Sequence, residues 1–252
     1  MRYFLQISYN GSAYHGWQIQ DNASSVQQVL NEKLSLQLGA VINCLGCGRT
    51  DTGVHAKKFF LHFDYDSELP ANFINRINSF LPLDIAIQKV FIPQLPDANA
   101  RWSAISRTYK YFVAIGKDPL SIGYAGKVYQ MPDLEKLQEV AMITKKYSDF
   151  EALSKFAPEE EHHLCTIIDA YWTLEENKLI FTISANRFLR GMVRIITGTM
   201  LEVGKGKISP LEYEEIIKNK DRSKAFGAAP AEGLYLWNVE YPKGLLIEKS
   251  IL

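Results

Sequence analysis

Neither charge is in excess along this chain: 28 lysines and arginines balance 28 aspartates and glutamates over 252 residues. Global charge therefore gives no argument for a polyanionic partner, and any nucleic-acid site must be a local patch. Cysteine is scarce, with three residues, too few and too odd in number for a disulfide framework. No apolar run approaches the roughly 18 residues needed to span a bilayer. The start, MRYFLQISYNG, has no basic leader, apolar signal core or small-residue cleavage site, and neither short repeats nor low-complexity tracts interrupt the chain. A soluble, cytoplasmic globular protein is the expectation. With 47% hydrophobic and 22% charged residues, its length suffices for one large or two smaller domains.

The cysteines invite one metal reading. Cys44 and Cys47 form a CxxC pair and His162 with Cys165 an HxxC pair, together four zinc ligands at plausible local spacing. Cys44, however, falls where the pattern reads as a strand end. Buried thiols in a reducing compartment are the preferred reading, and no metal is expected.

Periodicity gives an α+β chain. Tyr3 to Tyr9 alternates as a strand ending at the Asn10-Gly11 turn. Ser24-Ser25 caps a helix over Val26 to Leu38 that Gly39 stops. Val41 to Leu45 and Lys58 to Tyr65 read as strands, Pro70 to Phe80 as a helix, and Ile85 to Phe91 and Thr108 to Ile115 as strands. Beyond them come a helix from Pro132 to Thr144, strands over Thr166 to Leu174 and Lys178 to Ala185, a long helix from Arg187 to Val203, a shorter one from Ser209-Pro210 to Lys218, and a closing strand from Leu234 to Tyr241. Two halves of similar content are expected, 1–104 and 105–252.

Three stretches carry chemistry. In GCGRTDTGVHA, residues 46 to 56, one carboxylate stands among backbone-permissive residues on a strand connection, a placement that fixes Asp51 in a pose at a surface or cleft. In RFLRGMVRIITGTMLEVG, Arg187, Arg190 and Arg194 recur at spacings of three and four on one helical flank. Arg194 is enclosed by apolar neighbours, so it needs an acidic partner from elsewhere. In RWSAISRTYKYF, residues 101 to 112, aromatic rings interleave with bases, either as a stacking platform for nucleobases or as two core-facing tyrosines two positions apart.

GCGRTDTGVHA resembles the GRTDxGVHA signature of the TruA family of tRNA pseudouridine synthases. Four further stretches resemble that family in order: YNGSAYHGWQIQ with SVQQVL, ARWSAISRTYKY, FLRGMVRIITGTMLEVG and APAEGLYL. The likeness covers almost the whole chain. Departures are small: Cys47 precedes Gly48, Thr52 follows Asp51, and the family's MVRN reads MVRI over Met192 to Ile195, losing an asparagine beside the arginine.

The resemblance implies two pseudo-symmetric α+β subdomains sharing a central, mainly antiparallel sheet, with the active-site cleft between them. By the same resemblance Asp51 is the catalytic aspartate, Arg49 assists base flipping, Tyr109 stacks on the target base, and Arg194 pairs with Asp51. Arg101, Arg107, Lys110, Arg187 and Arg190 are candidate substrate contacts, as are Lys57 and Lys58, while His55 reads as a satisfied structural histidine. The implied substrate is tRNA, at uridines 38 to 40 of the anticodon stem-loop, and the implied assembly is a homodimer.

The implied chemistry suits a lone acid. Uridine loses its N1–C1′ bond, the uracil turns while bound, and C5 bonds to C1′, with no net oxidation, reduction or hydrolysis. No cofactor is called for. One carboxylate serves, by attacking covalently or by taking the ribose 2′ proton, whereas hydrolytic glycosidases use two carboxylates to activate water and protonate a leaving group. A non-catalytic RNA-binding protein would gain nothing from the Asp51, Arg49, Tyr109 and Arg194 set.

Overall fold

The computed structural model describes residues 1–158 and 162–250. In chain order the first stretch gives β1 (Arg2–Tyr9), α1 (Val26–Leu38), β2 (Leu45–Gly46), β3 (His55–Asp64), α2 (Phe73–Phe80) and β4 (Ile85–Pro93). Next come β5 (Ser106–Ile115), β6 (Gly126–Val128), α3 (Leu134–Thr144), β7 (Ile167–Glu175), β8 (Lys178–Ala185), α4 (Met192–Gly204) and α5 (Pro210–Asn219), and the chain closes with β9 (Leu234–Glu240) and β10 (Leu246–Glu248). Strand pairing is mainly antiparallel, so the α+β class expected from the sequence is the one found. Among the described residues no helix is long and apolar enough to cross a membrane.

The chain divides into two compact units, residues 1–105 with 235–252, and residues 106–234. In the first, strands run in the order β10-β4-β1-β3-β9, and β2 flanks β3. β1 is central and antiparallel to both neighbours, and its Tyr3, Phe4, Leu5 and Ile7 are wholly buried. The segment 235–252, grouped on the sequence with the second half, lies in the first unit because β9 joins β3 through His55↔Tyr235 and Ala56↔Leu236, and β10 joins β4. α1 forms as its pattern dictates. The Ser25 side chain accepts from the Gln28 N–H, Gly39 ends the helix at φ 65°, and Val26, Leu30, Leu34 and Leu38 make one buried stripe.

In the second unit the order is β6-β5-β8-β7. β5 and β8 pair along a long antiparallel register, from Arg107↔Ala185 to Ala114↔Lys178. α3 packs on β7, α4 and α5, and the buried Tyr213 of α5 shares a 2.7 Å hydrogen bond with Thr144 at the end of α3. A capping box between Ser209 and Glu212, with Pro210 in the first turn, starts α5 where the sequence places it.

Several boundaries move for local reasons. The expected strand over Val41 to Leu45 shrinks to β2, because the Ile42 and Cys44 N–H groups donate to Ser35 Oγ (2.8 Å) and Asn31 Oδ1 (2.9 Å) of α1 instead of entering a ladder. α2 starts at Phe73, after Asn72 in the left-handed region. The long helix begins at Met192 and not at Arg187, since Gly191 adopts φ 67° at its N-terminus and the Arg190 carbonyl accepts from Lys155 N–H at 2.9 Å. Arg187 and Arg190 therefore precede α4, and the single helical flank of three arginines does not form.

Candidate active site

Asp51 lies half-buried in the connection between β2 and β3, with Arg49 exposed two residues before it. The segment 9–17 buttresses this loop. Tyr9 OH and Thr50 Oγ1 are 2.9 Å apart, Thr50 O accepts from Trp17 N–H (3.3 Å), and Tyr14 O accepts from Gly53 N–H (3.3 Å). Within the loop, Val54 N–H closes back on Asp51 O at 3.1 Å, with Gly53 at φ 79°.

Two glycines make the approach possible. A Cβ on Gly16 would lie 2.2 Å from Thr50 O, and one on Gly11 2.0 Å from Val54 O, so no side chain fits at either position. The Gly11 N–H donates to His55 Nδ1 at 3.1 Å, and the buried His55 ring stacks on Tyr235 with centroids 4.5 Å apart. His55 thus carries a lone pair on Nδ1 and closes the downstream end of the loop. The result is one carboxylate on a backbone pinned at both ends, as nucleophilic or base chemistry at a fixed point requires.

The second unit builds a parallel device around Arg194. Ala229 N–H donates to Arg194 O (2.8 Å), and Arg194 Nε donates to Ala229 O (2.7 Å). Gly198, one helical turn along α4, makes room for this segment, since a Cβ there would be 2.1 Å from Gly227 O. The Tyr111 OH donates to Pro230 O at 2.9 Å, and burial pushes its phenol pKa up. The APAEG stretch is therefore tied to both α4 and β5.

Tyr109 sits half-buried on β5, its ring meeting Phe188 edge-on at 5.1 Å and 89°. Arg107, half-buried on the same strand, donates to Asn186 O at 3.0 Å. Lys110 is also half-buried on β5, Arg187 approaches His162 Nδ1 at 3.4 Å, and Arg190 is exposed. In the first unit the Arg101 guanidinium lies 4.4 Å from the centroid of the exposed Trp102 ring. Lys57 Nζ lies 3.9 Å over the Trp237 ring, and Lys58 Nζ is 3.4 Å from Asn238 Oδ1. The first unit thus carries Asp51, Arg49 and Arg101, and the second carries Tyr109, Arg107, Lys110, Arg187, Arg190 and Arg194.

Sequence reasoning read Gly11 only as a turn residue and passed over Gly16, Gly198 and Ala229. The signal was present in YNG, HGW, TGT and APAEG, but a glycine's purpose shows only when the opposing backbone is known. The three cysteines are buried; Cys47 Sγ accepts from Phe60 N–H at 3.4 Å. Among the described residues, Asp149, Glu151 and His163 hold their ligand atoms within 4.8 Å of one another, but Lys220 already pairs with Asp149 at 2.6 Å.

A family model described as tRNA pseudouridine synthase matches residues 147–242. The chain is 42% identical to the tRNA pseudouridine synthase A of Bacteroides thetaiotaomicron over 253 residues, 99% of this chain and 94% of that protein. It is 43% identical to that of Bacteroides fragilis over 245 residues, 96% and 97% of the two chains. The likeness extends to Ruminiclostridium cellulolyticum, at 38% over 245 residues, 94% and 98% of the two chains.

Proposed function

Because the chain belongs to the tRNA pseudouridine synthase A family, we propose that it isomerises uridine to pseudouridine in tRNA with Asp51 as the catalytic carboxylate. The observation that carries the assignment of Asp51 is the glycine-backed clamp on its loop, where Gly11 and Gly16 admit Val54 O and Thr50 O at distances no Cβ allows. A loop held so closely places one acid with the precision that a covalent or proton-transfer step demands.

In this reading a uridine of the anticodon stem-loop, at positions 38 to 40, leaves its stack and enters beside Asp51. Tyr109 supports the uracil face and Arg49 assists the flip. Arg194, already oriented by Ala229, pairs with the Asp51 carboxylate. The N1–C1′ bond breaks, the uracil turns, and C5 bonds to C1′; C5 then gives up its proton and N1 gains one, so the product is an isomer. Asp51 acts on C1′ or on the 2′ proton and is regenerated in either case. Arg101, Arg107, Lys110, Arg187 and Arg190 contact the RNA backbone, and the working form is a cytoplasmic homodimer.

Nucleoside mapping of unmodified tRNA transcripts incubated with the wild type or with Asp51→Asn tests this. Pseudouridine in the anticodon arm from the wild type alone is expected, with tRNA affinity of the variant kept within about tenfold. Pseudouridine formed equally by Asp51→Asn would remove Asp51 from the chemistry.

A further inference from the structure

Tryptophan and arginine are enriched where a protein surface makes contacts. Trp102 is 74% exposed, yet its backbone is firmly held. The Arg101 and Trp102 N–H groups both donate to Asn99 Oδ1, at 2.9 and 3.2 Å. Asn99 N–H donates to Ser103 Oγ (2.9 Å), and Ser103 N–H returns to Asn99 O (2.9 Å). Between them Ala100 is anchored twice, its N–H to His62 Nδ1 at 3.1 Å and its carbonyl to Tyr241 OH at 2.6 Å. This turn is rigid, and it presents an indole outward.

Charge narrows the partner. The Arg101 guanidinium stacks on one face of the ring at 4.4 Å, a cation–π contact that keeps a positive group beside the apolar surface. The other requirements of a nucleotide follow from this pair: a π face for the base, and a cation within reach of its phosphate. An apolar protein partner would gain nothing from the guanidinium.

We propose that Trp102 is a stacking platform for an unpaired base of the tRNA substrate, distinct from the target uridine, with Arg101 meeting the adjoining phosphate. The proposal rests on tRNA being the substrate, and it assigns Trp102 to affinity and not to chemistry.

Full-length unmodified tRNA transcript serves as the probe, against the wild type, Trp102→Ala and Trp102→Phe. Trp102→Ala should raise KM roughly tenfold or more, as the loss of one base stack implies, with kcat kept within about twofold. Trp102→Phe, which keeps a π face, should recover most of the loss. Binding of tRNA should quench tryptophan emission in the wild type and less in Trp102→Phe. Unchanged KM and quenching in both variants would overturn the proposal. So would a fall in molar mass by sedimentation in Trp102→Ala, which would assign Trp102 to contact between copies of the chain. Wild type that forms no pseudouridine but shows Trp102-dependent quenching would retain the platform and sink the catalytic reading instead.

Discussion

Arg194 and Ala229 hold each other twice, Ala229 N–H on the Arg194 carbonyl at 2.8 Å and Arg194 Nε on the Ala229 carbonyl at 2.7 Å. The main chain of α4 and one edge of the guanidinium are thereby locked to the same residue. One nitrogen of the arginine is fixed by backbone, which helps to orient the remaining donors. A bidentate arginine works by such preset geometry, so the lock matters more to aim than to charge.

Gly198 is the hinge of that arrangement. Its missing side chain admits Gly227 O, which an added Cβ would meet at 2.1 Å. Gly198→Ala should push the 227–229 segment off α4 and cost about 1–3 kcal/mol by overpacking. Thermal melts should show the loss, and kcat should fall more than tRNA affinity as Arg194 loses its aim. A variant with wild-type melting and turnover would mean the segment shifts freely.

His55 offers a sharper test of the Asp51 loop. His55→Phe keeps a ring on Tyr235 but leaves the Gly11 N–H without the Nδ1 acceptor it uses at 3.1 Å. An unmet buried donor costs about 1–3 kcal/mol. If the latch positions Asp51, kcat drops by about tenfold or more while tRNA binding persists, and His55→Gln, which restores an acceptor, regains part of the rate. Equal falls in kcat and affinity across both variants would reduce His55 to a packing residue.

Tyr109 separates ring from hydroxyl. Its edge-on partner Phe188 supports the ring at 5.1 Å, so Tyr109→Phe should retain stacking and most tRNA binding. Tyr109→Leu should weaken single-turnover formation of pseudouridine by about tenfold or more through the lost stack. Complete loss of binding in Tyr109→Phe, read by filter retention of labelled tRNA, would contradict the stacking role.

How far the sequence shows these devices depends on whether their cause is local. α1 was legible residue for residue because its cap, its stripe and its glycine stop all lie within it. β5 and β8 were legible from their β-branched and aromatic content. The start of α4 was not: FLRG carries helical spacing, and only the left-handed Gly191 breaks it. β2 failed for a non-local reason, since side chains of α1 took its N–H groups. The return of 235–252 to β3 and β4 is a matter of topology that no periodicity encodes. For the site, Asp51 stood out by its glycines, while the glycines that clamp it from residues 11 and 16 could be interpreted only once Thr50 and Val54 stood against them.

His62 sets a pH limit on the first unit. Its Nδ1 accepts from Ala100 N–H at 3.1 Å, its ring stacks on Phe4 with centroids 5.4 Å apart, and it is buried. Burial, with the Arg2 guanidinium adding to it, pulls its pKa down to about 4. In the unfolded chain the same ring titrates near about 6.5. Above that value neither state holds the proton, and the folded state keeps its full advantage. As pH falls from about 6.5 towards 4 the unfolded chain takes the proton first, so stability is lost across that window, by about 3 kcal/mol in all. The Asp64 carboxylate, held below the usual range chiefly by its bond to Arg2, loses its contribution only at lower pH, which keeps the two effects apart. Urea unfolding at pH 7, 5.5 and 4.5 should therefore show a steep decline in the wild type. In His62→Gln, which offers Ala100 an acceptor but does not titrate, stability should start lower at pH 7 and decline less. Parallel declines in the two proteins would place the acid sensitivity elsewhere.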